Sequence, residues 1–155
     1  MKWEDGGVFR GRSVHTMDEK GRLSISARIR DVLKTKYDGR LIVTNLPNCL
    51  AAYPLEEWRE LEESFGNFKL APPEVVSFQR YFLAGGVECN MDSHGRILIP
   101  ANLREGAGIN REVVLSGMLK YFEIWSKERL DEELRRAKEN FDQYSRLIST
   151  IGTKA

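Results

Sequence analysis

Apolar and polar positions alternate in two short, matching stretches of the chain. Leu23 and Ile25 flank Ser24, and Ile97 and Ile99 flank Leu98, so both stretches read as strands of period two, the second apolar on both faces. Each strand follows a turn signal, Asp18-Glu19-Lys20-Gly21 or Asp92-Ser93-His94-Gly95, with Asp opening a four-residue turn and Gly where a positive φ is cheap. Behind each strand the period lengthens. Ile29, Val32 and Leu33 share the face of a helix that Ser26 can cap, while Pro100 suits the first turn of the matching helix and Gly108 its end.

The two stretches are copies of one another. Met17 to Asp31 lies without gaps over Met91 to Glu105 at an offset of 74 residues, with Met, Asp, Gly, Arg, Ile, Ala and Arg recurring in register. Farther on the match loosens, with Leu41-Ile42-Val43 answering Val113-Val114-Leu115 and Cys49 to Tyr53 answering Tyr121 to Trp125. Each half therefore reads as strand, turn, strand, short helix and two more strands. The predicted core is Phe9, Val14, Leu23, Ile25, Leu41, Val43, Leu50, Ile97, Ile99, Val113, Leu115, Phe122 and Ile124.

Helices follow each half. Pro54 opens one with Leu55, Trp58, Leu61 and Phe65 on a face, and Pro72-Pro73 opens another through Val75, Val76, Phe78, Phe82 and Leu83. After Ser126, Leu130, Leu134, Ala137, Phe141, Tyr144, Ile148 and Ile151 step by four and three alternately, which predicts one long helix with a heptad seam. That seam fits packing on the parent domain, the commoner outcome, or pairing with a neighbouring subunit. The expected organisation is a first half over residues 8–54, a helical connector over 55–81, a second half over 82–125 and a C-terminal helix over 126–151.

Composition narrows the class. With 155 residues, 41% apolar and 30% charged, the chain suits one domain or two small half-domains and excludes a disordered or collagenous polymer. No apolar run approaches the roughly 20 residues of a membrane span, and the start lacks a secretory h-region, so a cytoplasmic protein is expected. Cys49, Cys89, His15 and His94 are too few and scattered for a zinc site, and buried reduced thiols are the better expectation. Net charge is only +1, yet residues 10–36 carry eight bases against three acids, while residues 55–65 are acidic.

The chemistry of an enzyme is hard to find. Neither histidine lies near a nucleophile signature, there is no P-loop or glycine-rich phosphate fingerprint, and the paired carboxylates Glu56/Glu57 and Glu62/Glu63 suit a solvated helix face. No catalytic residue, cofactor or metal is expected. The distinctive polar feature is a doubled Asp-x-x-x-Arg, Asp18/Arg22 and Asp92/Arg96. Turn chemistry alone accounts for either copy, Asp bonding turn amides and Arg closing the hairpin as an ion pair. Two copies in register, with Lys20 and His94 alongside, also suit hairpin tips that enter a DNA groove and bond phosphates or guanine edges.

Phe9-Arg10-Gly11, Met17 to Ile25, Tyr53-Pro54-Leu55-Glu56-Glu57-Trp58 and Cys89 to Ile99 together closely resemble the bacterial MraZ family, over nearly the whole chain from Val8. That resemblance implies a transcriptional regulator, usually a repressor, of the division and cell wall gene cluster, binding repeated boxes upstream of its promoter. It also implies an α+β fold of two tandem AbrB-like swapped-hairpin units, a pseudo-two-fold, β-barrel-like core with peripheral helices, and subunits assembled into a ring, often an octamer. Met1 to Gly7 precede the family's usual start.

The expected partners are double-stranded DNA and further copies of the chain, with no membrane and a place at the nucleoid. Arg22 and Lys20 of the first tip are expected to make the principal DNA contacts, assisted by Arg10, Arg12, Arg28 and Arg30. Asp18, Gly21, Asp92, Gly95 and Arg96 are expected to shape the turns. The second tip, poorer in charge along the sequence, is expected to serve a subunit interface. Three other readings compete: a single-copy AbrB-like antitoxin or regulator, which the duplication disfavours; an oligomeric interaction scaffold; and an enzyme on a related double-psi barrel.

Overall fold

The computed structural model describes residues 7–152, so the leading segment before Gly7 lies outside the described residues. Among the described residues, eight strands and six α-helices follow the doubled order. The first half runs β1 (Arg12–Thr16), β2 (Arg22–Ser24), α1 (Ala27–Thr35), β3 (Leu41–Asn45), β4 (Leu50–Pro54) and α2 (Leu55–Gly66). Next comes α3 (Pro73–Phe78), which continues into a π-helical turn over Gln79–Leu83, where the Ala84 amide reaches the Gln79 carbonyl at 2.9 Å. The second half runs β5 (Val87–Glu88), β6 (Arg96–Leu98), α4 (Ala101–Ala107), β7 (Glu112–Gly117), β8 (Phe122–Ser126), α5 (Lys127–Glu139) and α6 (Phe141–Thr150).

Both sheets are antiparallel and both are shared between the halves. The large sheet has the order β1-β7-β8-β4-β3-β5, which reads the same from either end once each strand is exchanged for its repeat counterpart. The opening strand of the first half thus lies on the hairpin of the second, and the opening strand of the second lies on the hairpin of the first. A two-stranded ribbon pairs β2 with β6, and there Leu23 sits opposite Ile97, its own counterpart. The antiparallel, tandem α+β character is as expected. The strand order does not show the β-barrel-like core: the large sheet ends at β1 and β5, no ladder joins those edges among the described residues, and β2 and β6 form a sheet of their own.

Side-chain alternation gives the large sheet two apolar faces. The inner one packs Phe9, Leu41, Val43, Leu50, Val113, Leu115, Phe122 and Ile124 against Leu23, Ile25, Ile97 and Ile99 of the ribbon segments and against Ile29, Leu33 and Leu103 of the short helices. At about 1.5–3 kcal/mol for each fully buried large aliphatic or aromatic side chain, this shared cluster is the main stabilising term. On the outer face, α2 and the π-helical turn bring Trp58 and Phe82 onto Ile42, while α5 brings Leu130 onto Val114 and Trp125. Cys49 and Cys89 are both buried thiols, in separate clusters.

One predicted core residue is exposed. Val14 stands 64% accessible because its register opposite Val114 turns it to the outer face at the sheet edge, leaving Ser13 and His15 on the inner side. The long C-terminal helix is two helices. Asn140 has φ −108° and ψ 18°, and both its amide and its side-chain Nδ2 donate to the Arg136 carbonyl, at 3.1 and 2.9 Å, so it closes α5 before α6 begins. The seam divides accordingly: Leu130 is buried, whereas Phe141, Tyr144, Ile148 and Ile151 are exposed.

Candidate nucleic-acid interface

Each turn is built around one carboxylate. Asp18 Oδ1 accepts the amides of Lys20 (3.0 Å) and Arg22 (2.8 Å), and its Oδ2 accepts Arg22 Nε at 2.6 Å. The second turn repeats this arrangement, with Asp92 Oδ1 on the amides of His94 (2.8 Å) and Arg96 (3.0 Å) and Oδ2 on Arg96 Nε at 3.0 Å. Each carboxyl is held below its ordinary value, chiefly by the amide of the arginine four residues on, with the guanidinium adding to it. Gly21 and Gly95 close the turns at φ +89° and +74°, and their amides donate to the carbonyls of Asp18 and Asp92. An L side chain there would be strained. The carboxylates are consumed by the turn, while Lys20 and His94 stand exposed at its tip.

The ribbon places the tips at opposite ends. The Ile99 amide donates to the Gly21 carbonyl and the Ile25 amide to the Gly95 carbonyl, both at 2.9 Å, which extends the β2–β6 ladder by one bond at either end. Four residue steps between Gly21 and Ile25 set the two glycines about 15 Å apart.

This exchange redistributes the predicted cations. Lys20 and Arg22 stay together at the first tip. Arg28 and Arg30 follow Ile25 on α1, and Arg30 lies at the second tip: its guanidinium rests on Gly95, with its Cδ 3.0 Å from where a Cβ would stand, while Arg28 is exposed. Arg10 and Arg12 lie toward the other end of β1, where Gly117 donates to the Gly11 carbonyl, about 17 Å along the strand from the first turn. The second tip thus gains a guanidinium that the linear sequence places in the other half.

The sequence reading missed Arg104. It is the repeat counterpart of Arg30, and it rests on Gly21 of the first turn while its Nε donates to the Ile99 carbonyl at 3.0 Å. The signal was present in the aligned repeat, where Arg30 and Arg104 coincide. An apolar groove of about 620 Å³ lies between α2 and the β7–β8 turn, lined among others by Val8, Leu61, Leu119 and the stacked rings of Tyr53 and Tyr121. Among the described residues no group of three or more His, Cys, Asp or Glu is placed to hold a metal, and no helix is long and apolar enough to cross a membrane.

Two interlocked copies of one strand-turn-strand-helix module, with cations displayed at two carboxylate-braced turns, define a tandem swapped-hairpin protein. The pattern of the family described as MraZ protein, antitoxin-like, matches residues 8–80 and again residues 82–150. The chain is 40% identical over 144 residues to the transcriptional regulator MraZ of Syntrophobacter fumaroxidans, covering 93% of this chain and 96% of that protein. It is 41% identical to that of Moorella thermoacetica, over 93% and 96% of the two chains, and 42% identical to that of Thermoanaerobacter sp. (strain X514), over 93% and 99%. The chain belongs to the MraZ family, whose members carry the name of regulators and not of enzymes.

Proposed function

We propose that the chain is a sequence-specific, DNA-binding transcriptional regulator that acts in the cytoplasm at the nucleoid. It represses the division and cell wall gene cluster by binding repeated boxes upstream of the promoter. The observation that carries the reading is the pair of braced turns. Each Asp spends its charge on turn amides and one Arg Nε, so the tips present the Lys20 ammonium, the His94 imidazole and the remaining guanidinium N–H groups outward, with the exposed Glu19 carboxylate beside Lys20 at the first. In this reading Arg22 and Lys20 make the principal contacts, Arg30 assists from the second tip and Arg28 from α1, and Arg10 and Arg12 reach flanking backbone. The relatives' names as transcriptional regulators support it.

The proposed working form is a ring, with an octamer as the expected size. Two unlike apolar surfaces support it: the exposed face of α6, with Phe141 and Leu147 68% and 60% accessible, and the groove beside Tyr53 and Tyr121. Unlike surfaces on one chain pair head to tail, and head-to-tail contacts close into rings when the rotation permits. A ring offers its tips in one repeating orientation to successive boxes, which raises effective concentration.

Footprinting on the DNA upstream of the protein's own gene, with solution mass measurement, tests the proposal. Clustered protection at evenly spaced repeats is expected, with Arg22→Ala binding more weakly than wild type. Equal binding by Arg22→Ala and wild type would remove the first tip from the contact surface.

A further inference from the structure

The half-exchange leaves two guanidinium groups in an unusual position. Arg30 and Arg104 are both half-buried, both belong to the short helix behind a ribbon strand, and both rest on the turn glycine of the opposite half. Among the described residues neither meets a carboxylate, although five other arginines, Arg22, Arg40, Arg96, Arg135 and Arg136, do. Arg104 spends only its Nε, on the Ile99 carbonyl, and so keeps its two terminal nitrogens as donors. A partly desolvated cation with donors to spare, held rigidly against a backbone that has no side chain to shield it, is a site for an oxyanion.

We infer that each tip is a composite phosphate site made by both halves: Lys20 and Arg22 with Arg104 at the first, and His94 and Arg96 with Arg30 at the second. This rests on the DNA-binding reading above and extends it in two respects. It adds Arg104 as a contact residue, and it makes the second tip a DNA contact and not a subunit interface. The geometry is reciprocal. Because Gly21 and Gly95 have no Cβ, the arginine of the other half comes close beneath the turn, and a side chain at either position would meet it. With the glycines about 15 Å apart at opposite ends of the ribbon, the two sites engage two separate backbone phosphates of one duplex. Neither half alone carries a complete site, since the arginine of each comes from its partner half.

The test is the salt dependence of binding by the full chain, between about 50 and 200 mM salt, to a duplex from its own promoter region and to a shuffled duplex. Each lost phosphate contact lowers the slope of log K against log salt by about 0.9. Arg104→Gln and Arg30→Gln are each expected to lose that amount on both duplexes, with binding about tenfold weaker, and the double variant to lose about twice as much. Arg104→Lys separates electrostatics from folding: it keeps the charge but not the planar fork that bonds the Ile99 carbonyl, and it is expected to retain the wild-type slope. Wild-type slopes in both Gln variants would overturn the composite sites while leaving the DNA-binding reading intact. A slope lost in Arg104→Lys as fully as in Arg104→Gln, with an equal fall in Tm, would overturn them too. Failure of the wild-type chain to bind either duplex in a salt-dependent way would remove the functional reading itself.

Discussion

Leu23 lies directly opposite Ile97 in the β2–β6 ribbon, and each is the other's counterpart in the repeat. Both are fully buried, at 0% and 1% accessibility, so the seam between the halves runs through the core and not over a surface. Leu23→Ala leaves a cavity that both halves line and is expected to cost about 2–5 kcal/mol. Urea unfolding followed by fluorescence and by circular dichroism checks this. A single coincident transition is expected for wild type and variant alike, because neither half has a core of its own; two separated transitions would contradict the interlocking.

Gly21 carries the first turn at φ +89°, and a Cβ there would stand 2.8 Å from both the Ile99 carbonyl oxygen and Arg104 Nε. Gly21→Ala is expected to destabilise by about 1–2 kcal/mol through the left-handed conformation alone, with the clash adding to it. DNA binding is expected to weaken more than stability at neutral pH, because Arg104 must move. Gly11, at φ +76° with open space around it, is the control: Gly11→Ala carries the conformational cost without displacing Arg104.

Acid weakens the turns in a defined direction. Asp18 and Asp92 titrate below the ordinary carboxylate range when folded, so their contribution is complete above about pH 4, the unfolded value, and fades as pH falls through the lower folded value. His15, half-buried on β1, is shifted the other way relative to its charged form. Burial lowers its pKa, so the unfolded chain takes up protons first and stability declines as pH falls below about 6.5. Stability measured across pH 3–7 is expected to lose the upper slope in His15→Gln and the lower one in the Asp18→Asn, Asp92→Asn double variant.

Leu147 and Ile148 of α6 are 60% and 52% accessible on the apolar face that the parent domain leaves uncovered. Replacing both with Glu removes no buried contact, so Tm of the isolated subunit should change little. If α6 seals the ring, light scattering will show smaller assemblies than wild type, and affinity for repeated boxes will fall toward that for a single box. An unchanged mass would place the subunit contact elsewhere.

Much was legible because it is local. The duplicated turn needs only Asp at its start, Gly near its end and Arg four residues after the Asp, all within reach of one carboxylate, and the chain displays that pattern twice. Period-two strands, the Ser26 cap, whose Oγ accepts the Ile29 amide at 3.3 Å, and the left-handed Gly108 closing α4 at φ 65° are local in the same sense. Val14 was misplaced because a single valine in a polar segment does not tell which face its register will present, and the opposite strand, 100 residues away at Val114, decides that.

By itself the sequence determined the repeat, the element order, the braced turns and most of the inner core, since these depend on residues within a few positions of one another. Only the tertiary structure decided which arginines serve which tip. Pairing β2 with β6 carries Arg30 to Gly95 and Arg104 to Gly21, across 65 and 83 positions of chain. The basic stretch over residues 10–36 names Arg30 as an assisting residue without saying where it sits, and strand exchange delivers it to the tip of the other half. Local periodicity does not encode which of two equivalent partners a strand will choose; that choice is made by burying the two halves' apolar faces in one shared core.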